Sequence, residues 1–174
     1  MSVYYPSIPG YAPFYVQMKT AQTATNLLTE YGCVINSHSY PANFTVKEPY
    51  KNEWFDEDGD DEYIPSTGLH LEAFTFTQEC CMLFNAGDSA ASRAALASQY
   101  RSLADYLHGG EFSFFDDWTK IGYRNVRLSS ISTIEEEAFK ATTDGKVLLR
   151  FSITFKVNDP ITKMKLLNGA IVTA

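Results

Sequence analysis

At 174 residues, with 45% apolar and 14% aromatic side chains, the chain is long enough to bury one sizeable core and too short for two comfortable domains. Its net charge of −7 is local: residues 53–62 hold seven acids and no base, and outside them 14 acids face 14 bases. That balance excludes a general nucleic-acid binder, which needs clustered Lys and Arg, and no apolar run approaches the roughly 18 residues of a membrane span.

Residues 1–20 are rich in Pro and Tyr (Tyr4, Tyr5, Pro6, Pro9, Tyr11, Pro13, Tyr15). Each proline disfavours helix at the residue before it, so an extended arm is expected, lying on its own domain or on a neighbour. The first ten residues lack the basic start and apolar centre of a secretory leader, so synthesis in a cytoplasm is expected. Residues 20–31 are ambiguous between helix and loop, and 31–36 form a short strand candidate. Residues 37–68 carry Pro41, Pro49, Pro65 and the acidic block, which predicts a long irregular stretch of the kind that is functional or disordered.

Residues 69–84 give a strong β signal, with Phe74, Phe76, Cys80, Met82 and Phe84 on one parity and Gln78 interrupting it. A run this long predicts a bend, a bulge or two strands. The period then changes. Asp88 and Ser89 suit a helix start, and Leu96, Tyr100, Leu103 and Leu107 recur at helical spacing, predicting one helix over about 89–107. Gly109 and Gly110 end it. Strands follow at 111–116 and 123–132, with Gly122 placed in the turn between them. Asp144-Gly145 turns the chain into its clearest element. From 146 to 157 the odd positions are apolar, and the even ones are polar apart from Leu148 (Lys146, Arg150, Ser152, Thr154, Lys156). Such alternation puts one face in a core, and Pro160, with no N–H to offer, is expected to end the strand.

Together these elements predict a mainly β (α+β) single domain, an antiparallel sandwich or barrel with one flanking helix. Cys33, Cys80 and Cys81 are an odd set with an adjacent pair, read as buried small hydrophobes rather than a disulfide framework. The acidic block fails both calcium-loop registers: with Gly59 at position 6, Trp54 and Pro65 fall at positions 1 and 12; starting at Asp56, Asp61 displaces the glycine and Thr67 the glutamate. A looser cation- or ligand-binding loop at 53–62 stays as an alternative. Asp116 and Asp117 are adjacent on an extended segment and so point apart, which argues against a paired-carboxylate site. His38, His70 and His108 show no metal-ligand spacing. Nothing nominates a nucleophile or a cofactor, and a non-enzymatic protein is expected. Trp118, Lys120, Tyr123, Arg124 and Arg127 form the one basic-aromatic cluster. On a regular strand Arg124 and Arg127 have opposite parity, which favours subunit contacts over a continuous basic face.

The order of arm, long loop, strands, single helix, Gly-Gly, hairpin and closing strand resembles the tail-tube family of long-tailed phages, most of all the N-terminal domain of distal tail proteins. The likeness lies in segments 89–107, 111–117 and 123–132, in 149–160 (Leu-Arg-Phe-Ser-Ile-Thr-Phe-Lys-Val-Asn-Asp-Pro), and in the acidic stretch 54–63. The resemblance implies a tail-tube-like β-sandwich with a flanking helix. It also implies a non-enzymatic virion component assembling as a homo-hexameric ring around a DNA channel, next to other tail proteins, without membrane or specific DNA binding. The chain runs only a few residues past Pro160, without the carbohydrate-binding-like domain of a full distal tail protein, so tube, tail-end ring and neck connector are all open. In that setting Tyr4, Tyr5, Tyr11, Trp54, Phe55, Asp56, Glu57, Asp58, Asp60, Asp61, Glu62, Arg124 and Arg127 are candidate subunit contacts. Lys146, Arg150 and Lys156 are candidates for a channel or inter-subunit face.

Overall fold

A computed structural model describes residues 12–41, 44–52, 61–66 and 68–174. The chain forms β1 (Phe14–Met18), β2 (Thr25–Asn26), α1 (Leu27–Tyr31), β3 (Cys33–Ser37), β4 (Tyr50–Asn52), β5 (Asp61–Tyr63), β6 (Phe74–Gly87) and α2 (Ala90–His108). Then come β7 (Phe112–Asp116), β8 (Ile121–Ile131), a 3-10 turn, β9 (Phe139–Ala141), β10 (Lys146–Leu167) and β11 (Ala170–Thr173). The main sheet is antiparallel and runs β2-β1-β7-β8-β10-β6-β3, with β9 and β11 also pairing β10. It curls into a half-barrel with α2 as its main helix.

The core follows the predicted alternation. Val147, Leu149, Phe151, Ile153, Phe155 and Val157 of β10 are buried with Phe76, Cys80, Met82 and Phe84 of β6, and Leu96, Tyr100, Leu103 and Leu107 of α2 join the same cluster. Helix α2 begins where expected: the Ser89 hydroxyl accepts from Ser92 N–H at 3.1 Å, filling one of the unpaired donors of the first turn. The helix ends at Gly109 in right-handed geometry (φ −63°), and the positive φ falls on Gly110 instead (+135°). All three cysteines are free and buried.

Five expectations gain detail or change. Where it is described, the expected extended arm lies on its own domain: residues 14–18 are strand β1, paired to β7 with Phe14 and Val16 fully buried. Residues 20–31 resolve into a turn, β2 and the short α1, which Asn26 caps by accepting from Leu28 N and Thr29 N. The 69–84 signal becomes one strand that keeps its register with β10 from Phe74 to Phe84. Gln78 lies in the buried row, its amide donating to Ser39 O at 2.9 Å. Gly122 is a strand residue, and Lys120 (φ +60°) makes the turn.

The fifth change concerns Pro160, which does not stop β10. Pairing with β6 has ended at Phe74, and against β8 the register slips between Asp159 and Lys163. Proline is tolerated at such a bulge, where no ladder N–H is needed. The Asp159 side chain accepts from Ile161 N (3.3 Å) and Thr162 N (3.1 Å), satisfying the backbone that the bulge frees. Beyond it β10 turns back through Asn168-Gly169 (φ +50° and +78°) into β11. The left-handed pair matches the type I′ hairpin turn. This hairpin covers a second small core, Phe115, Met164 and Ile171, that the sequence reading did not foresee.

Candidate contact surfaces and the Asp116 cluster

Tyr4, Tyr5, Tyr11, Trp54, Phe55, Asp56, Glu57, Asp58 and Asp60 lie outside the described residues. Asp61 and Glu62 sit on β5, in register with Asn52 and Lys51 of β4. The two strands form their own small sheet inside the stretch read as irregular. At its base Tyr50 and Tyr63 face each other, 71% and 68% exposed, with Ile64 exposed beside them. Val46 bridges Leu71, outside the strands of the main sheet, and Phe44 packs on Phe74 of β6, which ties this part of the stretch to the main sheet.

The outer face of β6, β10 and β8 carries the other predicted residues. Lys156 lies between Arg127 and Thr75, Thr154 between Ser130 and Thr77, and Arg150 opposite Cys81. The Thr77 and Thr154 hydroxyls meet at 2.8 Å. Lys146, at the head of the strand, is opposite Gly87, where the register shifts.

Arg124 and Arg127 do not alternate as on a regular strand. Between Phe112 and Phe114 of β7, strand β8 advances three residues, Val126 to Tyr123, so one extra residue is inserted. Asn125 absorbs it at φ +52°. Tyr123 and Val126 consequently both enter the core, and Arg124 and Arg127 are both left exposed. Arg124 is opposite Asp159, whose carboxyl burial pushes up; bonds from Thr162 and Ile161, with Arg124 nearby, outweigh that and hold it below its usual value. Arg124 also lines a cleft of about 430 Å³ with Gln17, Ser113 and Asn125, where Lys19 and Glu111 pair at 3.1 Å.

A polar cluster that spacing alone did not reveal sits at the end of β7. Asp116 is fully buried, and its Oδ2 accepts from His38 Nδ1–H (2.7 Å), Tyr40 O–H (2.8 Å) and Thr119 O–H (2.8 Å). Its Oδ1 accepts from Trp118 N–H at 2.9 Å. The carboxylate can only accept, so His38 donates from a protonated Nδ1. Burial first, then the Asp116 charge, pushes the Tyr40 phenol far above its ordinary range, so it stays a donor. The His38 ring stacks on Trp118, with centroids 5.8 Å apart. Asp117 points away to Lys120 Nζ at 2.6 Å. With four donors on one carboxylate, Asp116 acts as an anchor: it ties segment 38–40 and the 117–120 turn to β7. Among the described residues no group of three His, Cys, Asp or Glu gathers to hold a metal ion, and no helix is long and apolar enough to cross a membrane.

No protein-family model matches the chain, and no curated protein matches it significantly.

Proposed function

We propose that this chain is a non-enzymatic structural component of a bacteriophage or prophage tail, forming a homo-hexameric ring around the DNA channel. The observation that carries the reading is the long β10, which runs through the half-barrel sheet and follows the main helix α2, Gly-Gly and hairpin in the order of the tail-tube resemblance. Support also comes from the surface: a stand-alone β4–β5 ribbon with exposed tyrosines and a polar outer face suit subunit contacts. The protein is then a virion component assembled in the host cytoplasm. Its neighbours are other copies and adjacent tail proteins, and DNA passes without specific binding, since carboxylates repel phosphates.

Native mass spectrometry and negative-stain electron microscopy of the purified full chain test this reading. Hexameric rings with an open lumen are the expected result. A strict monomer at high concentration, alone and mixed with co-expressed neighbouring tail proteins, contradicts it.

A further inference from the structure

We propose that the outer sheet face around Arg127 and Lys156 receives the acidic segment 53–62 of a second copy of this chain. The inference rests on the self-assembly reading above and adds which two surfaces meet. Arg127 and Lys156 are directly opposite one another across β8 and β10. Like charges in such a cross-strand pair repel, and the Arg127 guanidinium donates only to the Leu128 carbonyl among the described residues, so a counter-charge would stabilise the pairing. Among the described residues no carboxylate lies within ion-pair distance of Arg124, Arg127 or Lys156; the ion pairs fall elsewhere, at Lys19, His38, Arg93 and Lys120. Asp159, opposite Arg124, is the acid of this neighbourhood, against three bases.

The chain's acid excess lies wholly in 53–62, since the rest is balanced. Charge complementarity therefore pairs this segment with that face. Hydroxyls of Thr75 and Ser130 flank the two cations and add donors for carboxylates, and the Thr77–Thr154 hydroxyl pair, bonded to itself, has one further proton to offer. Among the described residues the two strands of the ribbon form a sheet separate from the main one, and a two-stranded ribbon is marginal in water, so a second surface would stabilise it. Tyr50 and Tyr63, exposed at its base, add the aromatic contact area that interfaces favour. The asymmetry also has a consequence for assembly. Two different surfaces in contact make a head-to-tail interface, which closes into a ring when the rotation permits.

Equimolar unlabelled and 15N-labelled full-length protein, coupled with a zero-length carbodiimide and read by mass spectrometry, tests the contact. Mixed-label links between Lys156 and the 53–62 peptide are expected; links confined to one copy, or none, overturn the proposal. A charge swap gives the second readout, by sedimentation velocity with circular dichroism as the folding control. Arg127→Glu with Lys156→Glu should weaken assembly at least about tenfold, and adding Asp58→Lys with Asp60→Lys should restore it. Assembly unmoved by the first swap removes this contact and leaves the ring reading standing. A wild-type chain that never associates ends both. If the swap abolishes retention of duplex DNA and assembly is unchanged, the face serves nucleic acid and the proposal fails.

Discussion

Asp116→Asn tests the anchor at the end of β7, because it removes the charge and almost nothing else. The amide has two settings. With its oxygen toward His38, Tyr40 and Thr119, three bonds survive but lose their ionic character, and its NH2 meets the Trp118 N–H, donor against donor. With the amide reversed, three donors face an NH2, which costs more. In the first setting, charge-assisted bonds are roughly twice as strong as neutral ones, so three weakened bonds cost on the order of 0.5–1 kcal/mol each. The unmatched Trp118 N–H adds about 1 kcal/mol, at the low end because Trp118 is 55% exposed and water reaches that turn. Relief of the buried charge offsets part of this sum. The expected loss is about 2–3 kcal/mol, or roughly 5–10 °C in Tm for a domain of this size. Urea unfolding followed by far-UV circular dichroism and tryptophan fluorescence measures it, at a concentration where association does not differ from wild type. The 15N signals of His38 should also lose the fixed Nδ1–H tautomer. A loss below about 0.5 kcal/mol, with the tautomer kept, refutes the anchor.

Gly122→Ala should cost about 1–3 kcal/mol by overpacking, because the new Cβ falls 2.9 Å from Met164 Cβ, Met164 O and Phe115 Cδ2; chemical denaturation reads it, and the C-terminal hairpin should lose amide protection first. Burial pushes the Cys81 thiol up to about 11 and raises Cys33 well above its ordinary value. Raised folded values stabilise below the unfolded thiol pKa near 9 and lose that contribution as pH climbs toward 11, so urea midpoints should fall between about pH 8 and about pH 10.5. The same burial predicts that none of the three thiols reacts with a thiol reagent near neutral pH until the chain unfolds. Asp159 has a lowered folded value, so its contribution is present above the ordinary carboxylate pKa and disappears as pH falls through the folded one. Asp159→Asn should therefore differ from wild type in Tm at neutral pH and converge with it in acid; a difference independent of pH contradicts that assignment.

The elements that were legible in the sequence are those whose signal is local. The odd residues of 147–157 and the i, i+4, i+7, i+11 row of α2 face one core because backbone geometry alone sets periods of 2 and 3.6. Ser89 reads as a cap for the same reason: its partner is three residues away. The β10–β11 hairpin was not expected, because Pro160 masked the continuation of β10 toward the Asn168-Gly169 turn. The Phe14–Met18 strand was hidden by the prolines around it, since alternation over five residues carries little weight beside Pro9 and Pro13.

The sequence by itself determined the class of this protein: a mainly β chain with one helix, free buried cysteines and its charge confined to one segment. Tertiary structure decided everything that depends on two distant segments agreeing. His38 reaches Asp116 across 78 residues, and no spacing rule encodes a contact at that separation. Asn125 bulges because Tyr123 and Val126 must both be buried against β7, and that demand turns Arg124 and Arg127 onto one face. Pro160 continues a strand because its neighbours on one side have already ended. At Asn125 the local cost of a positive φ, on the order of 1–3 kcal/mol, is outweighed by burial of Tyr123 and Val126.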